Sequence, residues 1–165
     1  MATVAAASRT EGAETSLRWG SWLMSLAAVG FIGYAVIFFV LNFTRLLEIG
    51  IGPEQVGVTR SEIERFSPAF YEYVSHLQVA LSGGIAAIGV AVLFLVGYGV
   101  RRGAMWAWVG AVATPVLFLA VALPMHYPNG FDTIGHLGLI YLATAIFVLG
   151  ALLALRGLRA AEPRT

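Results

Sequence analysis

The chain has 165 residues, of which 59% are hydrophobic and 12% charged, with a formal net charge of +1 and a mean hydropathy of +0.82. A water-soluble domain carries about 25% charged residues to solvate its surface, so a soluble enzyme, a disordered chain and a nucleic-acid binder are excluded and an integral membrane protein is predicted. Cysteine is absent, which removes disulfides, thiolate metal sites and thiol redox chemistry.

Residues 1–17, rich in Ala, Ser, Thr and Glu, predict a disordered cytoplasmic tail. A four-helix transmembrane domain follows over 18–159. Its spans are predicted at about 19–43, 70–100, 104–125 and 131–155, each long enough to cross about 30 Å of hydrocarbon at 1.5 Å per residue. The first run is too long for a secretory signal, and no small-residue cleavage site follows it. Continuous apolar runs of this length fit helices rather than barrel strands. The fold class is therefore all-α, an integral membrane up-down-up-down bundle. The outer loop, 44–69, has a turn marked by Gly50, Gly52 and Pro53. Thr59 with Glu62, and Ser61 with Glu64, have capping-box spacing, so a short helix over 61–66 is predicted, with Ile63 and Phe66 turned to the membrane. Thr114-Pro115 predicts a kink in the third span, and Pro124 near its end helps aim His126. Residues 160–165 predict a second cytoplasmic tail.

Arginine placement sets orientation. Arg9, Arg18, Arg101, Arg102, Arg156, Arg159 and Arg164 share one side with Glu11, Glu14 and Glu162, a net +4. The other side carries Arg45, Arg60 and Arg65 with five Glu (48, 54, 62, 64 and 72) and Asp132, a net −3. Both termini are predicted in the cytoplasm, with Trp19, Trp22, Trp106 and Trp108 as an interfacial belt on that side.

The second span opens Glu72-Tyr73-Val74-Ser75-His76-Leu77 and the fourth Asp132-Thr133-Ile134-Gly135-His136-Leu137. This carboxylate-x-x-x-His-Leu pattern predicts two tandem hairpin repeats. Residues i and i+4 share a helical face, so each carboxylate can reach its own imidazole. His126, Asn42 and Gln78 fall in the same outer layer. Below the histidines, Ala80, Gly83, Ala87 and Ala143 predict that both histidine faces are buried, and Gly30, Gly33, Gly83, Gly84, Gly89, Gly97 and Gly99 predict close helix approach.

Each residue has a bland role as well. Glu72 and Asp132 suit a helix N-terminus, His76 and His136 suit interhelical hydrogen bonds, and His126 suits the interface. Together they form a candidate metal set, His76, His126, His136, Glu72 and Asp132, for zinc, copper or iron. Alternatively His76 and His136 hold one haem b as cofactor, or a carboxylate–His pair performs acid–base chemistry on a lipid-soluble substrate. A non-catalytic subunit of a larger membrane complex is the third reading. The lipid bilayer is the expected partner, with a membrane protein or second copy beside it.

The four-span pattern and the His76-Leu77 and His136-Leu137 helix openings resemble small bacterial four-helix membrane proteins, including the DoxX-like group. That resemblance implies a bacterial inner-membrane location and a link to oxidoreductase systems. The absence of cysteine argues against a thiol oxidoreductase.

Overall fold

The structure, a computed structural model, describes residues 2–161, with side chains from residue 11 onward. Its helices are α1 (Ala2–Thr44), α2 (Pro53–Val56), α3 (Arg60–Phe66), α4 (Pro68–Tyr98), α5 (Met105–Ala122) and α6 (Ile134–Ala161), with no strand among the described residues. Four segments are long and apolar enough to cross a membrane: Glu11–Thr44, Pro68–Arg102, Met105–Met125 and Ile134–Ala161. The chain is therefore all-helical, with the composition of a multi-pass membrane protein.

α1 begins earlier than composition predicts. Residues 11–17, expected in a disordered tail, are helical, and Ala13 is buried. The cause is packing: Gly157 of α6 lets the α1 backbone come so close that a Cβ there would lie 2.7 Å from the Ala13 carbonyl oxygen and from the Leu17 nitrogen. Ala and Glu already favour helix, and this contact holds it. Residues 160 and 161 likewise belong to α6. Met1 and residues 162–165 of the expected tails lie outside the described residues.

α1 packs along both α4 and α6, while α5 packs on α4 and meets α6 over a short stretch. At the end holding the termini, a core of Met24, Ala28, Val92, Val96, Ala107 and Ala154 is closed by glycines. A Cβ on Gly20 would strike the Ala154 backbone, and one on Gly150 would lie 2.8 Å from the Met24 nitrogen. Gly89 does the same for α4 against the Ala28 carbonyl oxygen, at 2.8 Å. Lipid supplies no hydrophobic drive between helices, so such backbone-to-backbone van der Waals contact is what holds them. Trp108 Nε1 also donates to the Ala151 carbonyl at 3.0 Å, joining α5 to α6.

Towards the loop end the helices spread. Phe31, Ala35, Phe38 and Ile85 form a smaller core there. Polar groups tie α1 to α4: Gln78 Nε2 donates to the Phe38 carbonyl at 3.2 Å, and Asn42 Nδ2 donates to Ser75 Oγ at 2.9 Å. The expected close approach at Gly30, Gly33, Gly83, Gly84 and Gly97 does not occur, since nothing among the described residues lies within 4 Å of a Cβ built on any of them.

The loop forms the predicted capping box. Glu62 N–H donates to Thr59 Oγ1 at 3.3 Å and Thr59 N–H to Glu62 Oε2 at 2.7 Å. The Thr59 hydroxyl also donates to Glu62 Oε2 at 2.7 Å, and this bond, with that from the Thr59 N–H, holds the Glu62 carboxyl below the ordinary glutamate value. Ser61 caps nothing and instead sits 3.2 Å from the Thr59 hydroxyl. Phe66 is exposed and Ile63 half-buried. Arg60 donates to the Phe43 carbonyl at 2.6 Å and lies over the Tyr71 ring, fastening α3 to α1 and α4.

The two carboxylate–His openings are not equivalent. Glu72 and His76 lie inside α4, whereas Asp132 precedes α6. His76 is exposed and His136 buried, so the shared sequence pattern does not produce a shared environment.

The glycine seam gives a direct test. Gly150→Leu should cost about 1–3 kcal/mol by overpacking, read as a lower unfolding midpoint in mild detergent. Gly97→Ala, with open space around it, should be neutral or stabilising by up to about 1 kcal/mol through helix propensity.

Candidate metal centre

The site is built where α1 reverses. The Arg45 and Leu46 N–H groups both donate to the Leu41 carbonyl, at 2.8 and 2.9 Å. Leu46 takes φ 61, the left-handed region, which costs an L-residue about 1–2 kcal/mol. Its side chain is 3% exposed, and burying a leucine contributes about 1.5–3 kcal/mol, enough to offset that strain. The reversal sends residues 47–52 back across the loop end of the bundle.

Gly50 (φ 71) meets the start of α6 there, and a Cβ on it would collide with the Gly135 carbonyl. This approach places the Ile49 carbonyl oxygen 2.7 Å from His136 Nδ1. Thr133, rather than Asp132, caps α6, its hydroxyl accepting from the His136 N–H at 3.3 Å. His126 ends the 3-10 turn Leu123–Met125 that follows α5, and its Nδ1 lies 2.9 Å from the Ala122 carbonyl oxygen.

A carbonyl oxygen only accepts, so each of these Nδ1 atoms carries its hydrogen. In the neutral imidazole the other nitrogen, Nε2, then holds a free lone pair. Two histidines thus present Nε2 as a ligand atom, each oriented by a backbone carbonyl, an arrangement typical of metal-binding histidines. The two rings stack with centroids 5.1 Å apart and 25° between planes. His136 Nε2 is buried and has no hydrogen-bond partner among the described residues. Glu48 Oε2 is 3.3 Å from it, within ion-pair distance but not aligned as a hydrogen bond.

Glu48, His126 and His136 each offer one ligand atom, all within 4.8 Å of one another. Atoms bound to one zinc at about 2.0–2.1 Å lie roughly 3–4 Å apart. Closing the group on an ion therefore needs side-chain shifts of at most about 1–2 Å. Glu48 and His126 are part-buried and His136 is buried, so the group is shielded yet reachable.

The structure brings together two of the five expected ligands, His126 and His136. His76, Glu72 and Asp132 are exposed and lie outside the group. The expected inward face for His76 is not found: Gln78 and Ser82 are the buried residues of that stretch of α4. The pair expected to hold a haem is divided in the same way, His76 being exposed and His136 buried. Nor can one fit between His126 and His136, whose stacked rings leave no flat gap for a porphyrin. Asn42 and Gln78, expected in the polar layer, serve the α1–α4 tie instead.

Glu48 is the member of the group that spacing does not reveal. It lies in a loop, with no fixed helical offset to either histidine, and Ile49 beside it is 87 residues from His136. The one sequence cue is Leu46-Leu47, an apolar pair inside a polar loop, which marks a segment that folds back onto the bundle. Comparison of the chain with family models, curated proteins and solved structures finds no match.

Two glycines with nearly the same backbone separate loop strain from docking. Gly57 (φ 74) has nothing within 4 Å, while Gly50 abuts Gly135. Gly57→Ala should cost about 1–2 kcal/mol from backbone strain alone. Gly50→Ala should cost clearly more and raise amide exchange at the start of α6, as measured by hydrogen exchange in nanodiscs.

Proposed function

We propose that this chain is a bacterial inner-membrane protein whose outward end carries a divalent transition-metal centre ligated by Glu48, His126 and His136. The observation that carries the reading is the buried His136 Nε2: its partner nitrogen is committed to Ile49, and its free lone pair points into a group that also holds a carboxylate and a second oriented imidazole. Two imidazoles and one carboxylate suit zinc or ferrous iron. Three protein ligands leave a coordination position open, which is the mark of a centre that binds a substrate rather than one that staples a fold. Such a metal would polarise an oxygen bound at that position, and iron would add redox capacity.

The 3.3 Å approach of Glu48 to His136 favours one other reading, a plain ion pair that pins the loop to α6. Metal analysis separates the two. Protein purified in mild detergent should carry one zinc or iron per chain. His126→Ala, His136→Ala and Glu48→Gln should each abolish it, and His76→Ala should leave it intact. Metal-free protein that also fails to take up added zinc or ferrous ion would favour the ion pair.

The bundle is read as up-down-up-down, with both termini in the cytoplasm. The support is the charge split of +4 against −3 and the packing of α1 on α4 and α6. The chain has no cysteine of its own, so single cysteines report cleanly. One at Gln55 should be labelled from outside and one at Gly103 protected; the reverse pattern contradicts the orientation.

A further inference from the structure

Beside the metal centre the helices leave a cavity of about 490 Å³. Phe31 and Ile37 of α1, Ile85 of α4, Phe118 of α5, and Leu139 and Ile146 of α6 are among its walls. Among the described residues only Tyr34, Glu48 and His126 bring polar side-chain atoms to it, and the last two belong to the candidate metal centre. The cavity is thus an apolar chamber with the candidate ligands at its polar end.

Gly30 and Gly33 line it and have open space where a Cβ would be. Leu26, Ile37, Leu139 and Leu142 line it too and are about half exposed. All four lie within membrane-spanning segments, so the chamber communicates sideways with lipid. It has the size of a ligand pocket. At roughly 30 Å³ per water-sized group, it holds on the order of fifteen carbon-sized atoms.

We propose that the cavity binds the apolar body of a single-chain, lipid-soluble alcohol or carbonyl compound, with its oxygen at the open position of the metal. The placement of the oxygen rests on the metal-centre reading; the seating of the apolar body does not. A dication held by one carboxylate and two neutral imidazoles leaves the centre net positive, so a terminal oxygen donor is accepted there and an ammonium head is not. A small head is favoured because Glu48, on the loop docked against Gly135, and His126 both line that end.

The test uses the full chain in phospholipid nanodiscs, loaded with cobalt(II). The probes are 1-dodecanol, a diazirine-bearing dodecanol and a phospholipid with a diazirine in one acyl chain. The dodecanol probe should label residues 118–126 or 139–146, and unlabelled dodecanol should compete. Dodecanol should also shift the cobalt absorption. Gly30→Leu/Gly33→Leu, which fills the chamber, should keep cobalt and lose both signals. Cobalt binding without cavity labelling, or labelling unchanged in the double variant, overturns the proposal. Labelling by the phospholipid alone overturns the single-chain occupant. Cobalt bound and cavity labelled without a spectral shift overturns the placement of the oxygen. Cavity labelling with no cobalt bound contradicts the metal-centre reading and supports the seating of the apolar body.

Discussion

Two backbone carbonyls decide what two of the three histidines of this protein can do. Ile49 and Ala122 each accept from an Nδ1–H, at 2.7 and 2.9 Å. Those bonds engage Nδ1 on both rings, and they leave His136 Nε2 3.3 Å from Glu48 and His126 in the same group. One carbonyl comes from the end of α5, close in sequence to its histidine. The other comes from a loop that reaches α6 only because Leu46 accepts a left-handed backbone and Gly50 and Gly135 carry no side chains between them. The site thus depends on a docked loop, and the loop depends on a buried leucine and two glycines.

The bundle divides its length between stability and function. At the end with the termini, glycines bring backbones into contact and the core is small-residue and tight. At the loop end the packing loosens, α5 and α6 meet only briefly, and a chamber opens beside Glu48 and His126. Pro115 lies inside α5 and cannot donate a backbone hydrogen bond. Trp108 fastens α5 to α6 on the other side of that proline. A rigid clamp at one end lets the other carry polar groups and empty volume that would weaken a uniformly packed bundle.

The four spans were legible because hydropathy over about twenty residues reports burial in lipid directly. The Thr59–Glu62 box was legible because capping is local. The helix over residues 11–17 was not, since its support is Gly157, far along the chain. The site was half legible. His126 and His136 stood out as rare ionisable residues at one depth, but the i, i+4 pattern pointed to Glu72 and Asp132, which share a sequence motif with the histidines and not a site. The true carboxylate neighbour, Glu48, comes from tertiary docking. Gly30 and Gly33 carried the opposite meaning from that assigned by small-residue spacing: they leave room for something other than a helix.

The central claim is that both imidazoles commit Nδ1–H to a backbone carbonyl and offer Nε2 to a metal. Nitrogen-15 NMR of histidine-labelled, metal-free protein in nanodiscs near neutral pH reads this directly. The account predicts that His126 and His136 both show a protonated Nδ1 and an unprotonated Nε2, and that adding zinc moves the two Nε2 resonances together. A doubly protonated His136 paired with Glu48, unmoved by zinc, would contradict it.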